Sequence, residues 1–258
     1  MPMQKAYFLS HGSPTLVLDD VPAHHFLRSL GDEIVRPDAI LMVSAHWETQ
    51  IPTVNSVEKN ATIHDFGGFP QQLFEMQYPA AGSPETAIEV SELLAKGGFE
   101  VQIDNYRGLD HGAWVPLELM YPNADIPVLQ LSIQSHLSPK HHFEIGKAIA
   151  SLRDRNIAII ASGSFTHNLR EIKWDGGEEE IWSKDFSAWF HNALQNKAID
   201  DLLNYRALAP YAVKNHPTDE HLLPIFVAMG AAGEGFVVDR LHSSATFGSL
   251  RMDAYSFS

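Results

Sequence analysis

Three short apolar runs in this chain are each followed within a few residues by a histidine. Ala6-Tyr7-Phe8-Leu9 leads into Ser10-His11-Gly12-Ser13-Pro14, Ala39–Val43 into Ser44-Ala45-His46-Trp47-Glu48, and Ile157–Ala161 into Ser162-Gly163-Ser164-Phe165-Thr166-His167-Asn168. Runs of this kind read as buried strands. In open α/β sheets a ligand sits beyond the carboxyl ends of the strands. If the three strands are parallel and adjacent, three imidazoles converge on one rim. A lone loop histidine needs no chemistry, but three at equivalent positions point to a shared one. Imidazole is the common ligand for iron, zinc and copper. The small neighbours Gly12, Ser13, Ala45, Gly163 and Ser164 allow close backbone approach.

Further candidates lie elsewhere. In Thr218-Asp219-Glu220-His221-Leu222-Leu223-Pro224, Thr218 reads as a helix N-cap with two acidic residues in the first turn. His221 then falls near the start of an apolar helix, and Glu220 is either a competing ligand or a carboxylate that orients one. His111 sits between Gly108 and Gly112, before a helix expected to start near Pro116. Asp110 could hold its tautomer as a carboxylate partner, or cap a turn while His111 faces solvent. Ser13, His64, Phe69 and Trp114 are candidate substrate contacts and Trp47 a further pocket wall, although aromatics near a core more often simply pack. His24–His25 and His141–His142 read as surface pairs in polar helical segments, and His216 as a turn residue before Pro217. His136, His191 and His242 have no context that singles them out.

The elements that must position these residues alternate along the chain. Val128–Ile133 and Gly235–Asp239 read as further strands, with Phe99–Asp104 and Ser249–Phe257 as edge strands. Helices are expected over His24–Val35, Pro84–Ala95, Pro139–Leu152, Glu180–Asn196 and Thr218–Ala231. All-apolar strands separated by helices indicate an α/β sheet covered on both faces. With no linker or repeat, residues 1–258 read as one domain. Two long irregular segments, Thr49–Gly82 and Asn105–Trp114, are placed to carry function.

Composition narrows the chemistry. Fourteen histidines exceed the roughly six of average usage for such a length. There are no cysteines, which removes disulfides, thiolate nucleophiles and zinc-finger sites. A net charge of −14 disfavours phosphate backbones, so no nucleic-acid partner is expected. No signal-like or membrane-length apolar stretch is read, so the cytoplasm is the expected location. No G-x-S-x-G elbow, P-loop or H-E-x-x-H helix occurs. A zinc hydrolase using metal-bound hydroxide and a non-catalytic metal-binding protein both suit the histidines. His111 and His167 favour an enzyme, because storing a metal needs no extra proton-transfer groups.

Taken in order, Ser10-His11-Gly12-Ser13-Pro14, Ser44-Ala45-His46-Trp47-Glu48, Asp65-Phe66-Gly67-Gly68-Phe69-Pro70, Leu109-Asp110-His111-Gly112-Ala113-Trp114, Gly163–Leu169 and Glu220-His221-Leu222-Leu223-Pro224 closely resemble the class III extradiol ring-cleaving dioxygenases, in particular their DOPA 4,5-dioxygenase-type branch. The resemblance covers nearly the whole chain. It implies a single-domain α/β fold with a mixed, mostly parallel sheet and one divalent metal per chain, Fe(II) for activity or Zn(II). His11 and His46 match metal ligands. The third ligand, a carboxylate in the wider class, matches His221 here, and an all-nitrogen site also suits zinc. His167 matches a further ligand in zinc-binding members and an acid–base residue in the wider class. The implied reaction opens a catechol with dioxygen to a ring-opened semialdehyde acid, with His111 or His167 taking a proton from the diol.

Overall fold

A computed structural model describes residues 3–258. Its centre is an eight-stranded sheet. The strands are β1 (Ala6–Ser10), β2 (Ala39–Glu48), β3 (Thr53–Asn55), β4 (Gln102–Asp104), β5 (Val128–Ile133), β6 (Ile157–Gly163), β7 (Val238–His242) and, after a small ribbon of β8 (Ala245–Thr246) and β9 (Leu250–Arg251), β10 (Ala254–Phe257). The order is β4-β3-β5-β2-β6-β1-β10-β7. The middle four, β5-β2-β6-β1, run parallel, while β3 meets β5 and β10 meets β1 antiparallel. The sheet is therefore mixed and mostly parallel, with β1 and β2 flanking β6.

Period-two alternation sends side chains to two cores. Phe8, Leu41, Val43, Leu131, Ile157 and Ile159 face one, and Tyr7, Leu9, Ile40, Met42, Ala158 and Ile160 the other. Helices Pro84–Lys96, Pro139–Ile149, Ile181–Gln195 and Leu223–Ala232 cover the first core, and Pro22–Glu33 and His111–Met120 the second. Because both faces are buried, the middle strands are largely apolar, with Gln130 and Ser132 inside β5 as exceptions, and this made them readable in sequence.

Several boundaries differ from expectation. β2 runs on through Glu48, with an irregular register between Val43 and Glu48, so His46 belongs to the strand rather than to the loop after it. The expected strand Gly235–Asp239 is β7, three residues later, because the chain turns at Gly233 with φ +83°. β3, a three-residue strand with no apolar run, falls inside the segment expected to be irregular. The helix expected near Pro116 begins at His111, because the Asp110 side chain caps it by accepting from the Ala113 amide. The last helix starts at Leu223 rather than at a Thr218 cap, with Pro224 in its first turn, where it has no N–H left to satisfy. His142, expected on the surface, is buried; its Nδ1 donates to the Ser138 carbonyl and its Nε2 accepts from the Gln134 amide.

Candidate metal centre

Parallel pairing of β1, β6 and β2 brings their carboxyl ends to one edge, with Ser10 opposite Gly163 and Ser44 opposite Ser162. His11 follows β1 directly, and the next residue, Gly12, turns the chain away with φ +65°. His221 comes from the turn before the last helix and is drawn in by backbone contact, since the Ser164 amide donates to the His221 carbonyl at 3.0 Å. A Cβ on Gly163 would overlap that carbonyl oxygen, so only glycine lets β6 and the His221 turn approach this closely.

The Nε2 atoms of His11 and His46 lie 3.1 Å apart, and those of His46 and His221 3.2 Å apart. Metal–imidazole bonds of roughly 2.1 Å place neighbouring ligand nitrogens about 3 Å apart. The tautomers agree with this. His11 Nδ1 is 2.9 Å from Ser162 Oγ, whose own proton goes to the Gly112 carbonyl. His221 Nδ1 is 3.0 Å from Glu220 Oε1, and His46 Nδ1 is 3.4 Å from Asp65 Oδ2. Each Nδ1 therefore faces an acceptor and carries the proton, leaving three lone pairs aimed at one point. Lone pairs cannot hydrogen-bond to one another, so the arrangement fits a cation. Burial is the chief cause that pushes His11 and His221 well below the usual imidazole range and His46 to about 4. All three are neutral, as ligands must be. All three rings border the cavity described below.

Two more histidines stand beside it. The His167 ring lies flat on His221, with centroids 3.4 Å apart and planes 13° apart, and its Nδ1 is 3.9 Å from Glu220 Oε1. His111 approaches His46 at 3.9 Å between centroids. Its backbone amide and its Nδ1 both donate to Asp65 Oδ1, at 3.0 and 2.9 Å. Asp65, not Asp110, is thus the partner of His111. Asp110 is buried and spent on the Ser44 hydroxyl, Arg107, Gln130 and its own helix cap. Burial alone would raise the Asp65 carboxyl, but the hydrogen bonds it accepts from the His111 ring and amide outweigh it and hold it down at about 2. Asp65 was visible in sequence only as part of a glycine-rich loop; its aim across to His111, 46 residues on, has no local signature.

A cavity of about 380 Å³ opens over these groups. Ser13 and Phe69 line it, whereas His64 and Trp114 pack one layer back, against Phe66, with the His64 ring donating to the Met76 carbonyl. Trp47 is buried beneath the Arg107 guanidinium, away from the lining. The remaining wall comes from Leu169, Ile172 and Trp174 in the segment after β6, which carries no periodic signal, and from Leu250 of β9.

Residues 5–252 match the family described as the catalytic LigB subunit of aromatic ring-opening dioxygenase. The chain is 45% identical, over 99% of its length and 97% of the relative's, to a Beta vulgaris protein named 4,5-DOPA dioxygenase extradiol. It is 43% identical to an Escherichia coli K12 protein of the same name, over 88% of this chain and 84% of that one. The crystal structure of an uncharacterized Escherichia coli K12 protein superposes with a TM-score of 0.82 at 35% identity, covering 98% of this chain and 99% of that one. The chain belongs to this family of aromatic ring-opening dioxygenases, and it is an enzyme of the extradiol type. Among the described residues no helix is long and apolar enough to cross a membrane.

Proposed function

We propose that the whole chain, residues 1–258, is one catalytic domain that holds a single divalent metal on His11, His46 and His221 and opens a DOPA-like catechol with dioxygen to a ring-opened semialdehyde acid. The observation that carries the metal assignment is the convergence of three Nε2 lone pairs at 3.1 and 3.2 Å, each Nδ1 already engaged. We take the metal for turnover to be Fe(II), because zinc has no redox chemistry to offer dioxygen. When bound, the metal would chelate the diol, hold dioxygen beside it and pass electron density from ring to oxygen.

The residues then divide the remaining work. Asp65 fixes the His111 proton on Nδ1, so His111 Nε2 is the free lone pair that takes a diol proton. His167, stacked on His221 and lowered to about 4 chiefly by burial, lies outside the His11, His46 and His221 grouping and serves as a second proton-transfer group. Glu220 orients His221 from behind. Phe69 and its neighbours shield the reacting atoms from water. A cytoplasmic location belongs to the same reading.

The test is anaerobic reconstitution of apo-protein with Fe(II), then addition of L-DOPA and simple catechols in air. A yellow ring-opened product with matched oxygen uptake, abolished in His11→Ala and His46→Ala, is expected. Tight metal binding with neither colour nor oxygen uptake across a catechol panel would sink the proposal in favour of a zinc hydrolase.

A further inference from the structure

His216, readable in sequence only as a turn residue before Pro217, is fully buried beside Phe186 and Tyr205. Its Nε2 lies 3.0 Å from the Phe165 carbonyl oxygen, which can only accept, so Nε2 carries a proton and donates. Its Nδ1 is buried without a partner. Packing against two aromatic rings would be served by an apolar side chain that strands no such atom. What a histidine adds here is the N–H to Phe165.

Phe165 stands two residues before His167, in a stretch after β6 that is neither helix nor strand. Three hydrogen bonds stitch that stretch to the turn that delivers His221. The Ser164 amide donates to the His221 carbonyl at 3.0 Å, the His216 ring to the Phe165 carbonyl, and the His167 amide to the Asn215 carbonyl at 2.9 Å. The outer two join backbone to backbone, and the middle one alone uses a side chain. The turn itself is anchored. Asn215 Nδ2 donates to the Trp182 and Tyr211 carbonyls, and Arg206 donates to the His216 and Pro217 carbonyls while pairing with Asp219. His216 adjoins Asn215, so its bond acts at the His167 end of the seam, whereas His221 lies further along the turn. The His167 and His221 rings, 3.4 Å apart between centroids, hang from the two sides of this seam.

We propose that His216 is a positioning residue: its N–H to the Phe165 carbonyl sets where the His167 imidazole stands over the cavity. For its effect on turnover this rests on the ring-opening reading; for its geometry it does not.

The test compares His216→Met, which fills the space without a donor, with His216→Gln, whose side-chain amide keeps one. With Fe(II)-loaded protein and L-DOPA in air, His216→Met is expected to lose about tenfold or more in kcat per bound ion, since a misplacement of roughly 1 Å costs up to about 10²-fold. KM and the Zn(II) Kd of the apo-protein should stay near the native values, because the bond from Ser164 to His221 remains. His216→Gln should recover most of the lost kcat. In the Zn(II)-loaded proteins the ring-nitrogen NMR signals of His167 should move in His216→Met and return in His216→Gln, a readout that needs no turnover. Native kcat in His216→Met, or equal loss in both variants, would overturn the proposal. So would weaker Zn(II) binding with kcat per bound ion unchanged, which would place the effect on His221. Should His216→Met not fold, His216→Asn, whose amide stops short of the carbonyl, is read by the same criteria. His167 signals that move and return in a protein that opens no catechol would keep this inference and remove the dioxygenase reading. Unmoved signals with ring opening intact would do the reverse.

Discussion

One carboxylate, Asp65, touches both a metal-ligand candidate and a candidate base: its Oδ1 lies 2.9 Å from His111 Nδ1 and its Oδ2 3.4 Å from His46 Nδ1. The side chain reaches them from a loop, and nothing in the helix that carries His111 does the same work.

Asp65→Asn keeps the size of that side chain and removes its charge. The variant is expected to keep its metal and lose kcat by roughly 10²-fold, the low end of what positioned proton transfer contributes. Steady-state kinetics beside metal analysis checks this, and loss of metal with unchanged kcat per bound ion would assign Asp65 to the ligand shell alone.

Metal content separates His167 from the trio. His11→Ala, His46→Ala and His221→Ala should each lower metal occupancy at least tenfold, whereas His167→Gln should stay fully loaded while turnover falls. Chelation of the wild type should lower Tm, because an ion bound at about 1,000 times its Kd stabilises the fold by about 4 kcal/mol. An empty His167→Gln protein would make His167 a fourth ligand.

Gly163 is where β6 passes against the His221 carbonyl. Gly163→Ala must push that turn outward, at a cost of about 1–3 kcal/mol in stability and about tenfold or more in metal affinity through the displaced ligand. Thermal melts and competitive metal titration read the two effects separately, and native affinity in a folded variant would show that the turn has slack.

Two buried histidines outside the trio make stability depend on pH. His142 and His216 are each lowered to about 3, first by burial, while hydrogen bonds to the Ser138 and Phe165 carbonyls oppose it only in part. The unfolded chain binds protons at these residues near pH 6.5 and the folded chain does not. Their contribution is therefore whole above about 6.5 and is lost as pH falls from there toward 3, by about 2 kcal/mol each at pH 5. Denaturant midpoints between pH 7.5 and 5 should decline, and His142→Gln should remove about 2 kcal/mol of the loss at pH 5. A flat profile would mean that both sites admit a proton without opening.

The sequence by itself settled the class of fold, because the parallel strands are buried on both faces and so are mostly apolar on both, Gln130 and Ser132 of β5 apart. It also placed His11, His46 and His167 near the carboxyl ends of three strands, since strand polarity puts those ends on one side. The approach of His221, 175 residues after His46, was read from a local motif and a resemblance, and its place against β6 depends on a backbone contact that only the packed chain creates. The partner of His111 could not be read at all. Adjacency favoured Asp110, but folding turned that carboxylate inward to cap its own helix, where burial makes every lone pair find a donor. The tertiary structure gave the vacant role to Asp65 and built most of the outer wall from a segment with no period. Side-chain direction in irregular backbone is set by whatever the fold places opposite, and the residue types of Asp65, Leu169 and Trp174 carry no record of that.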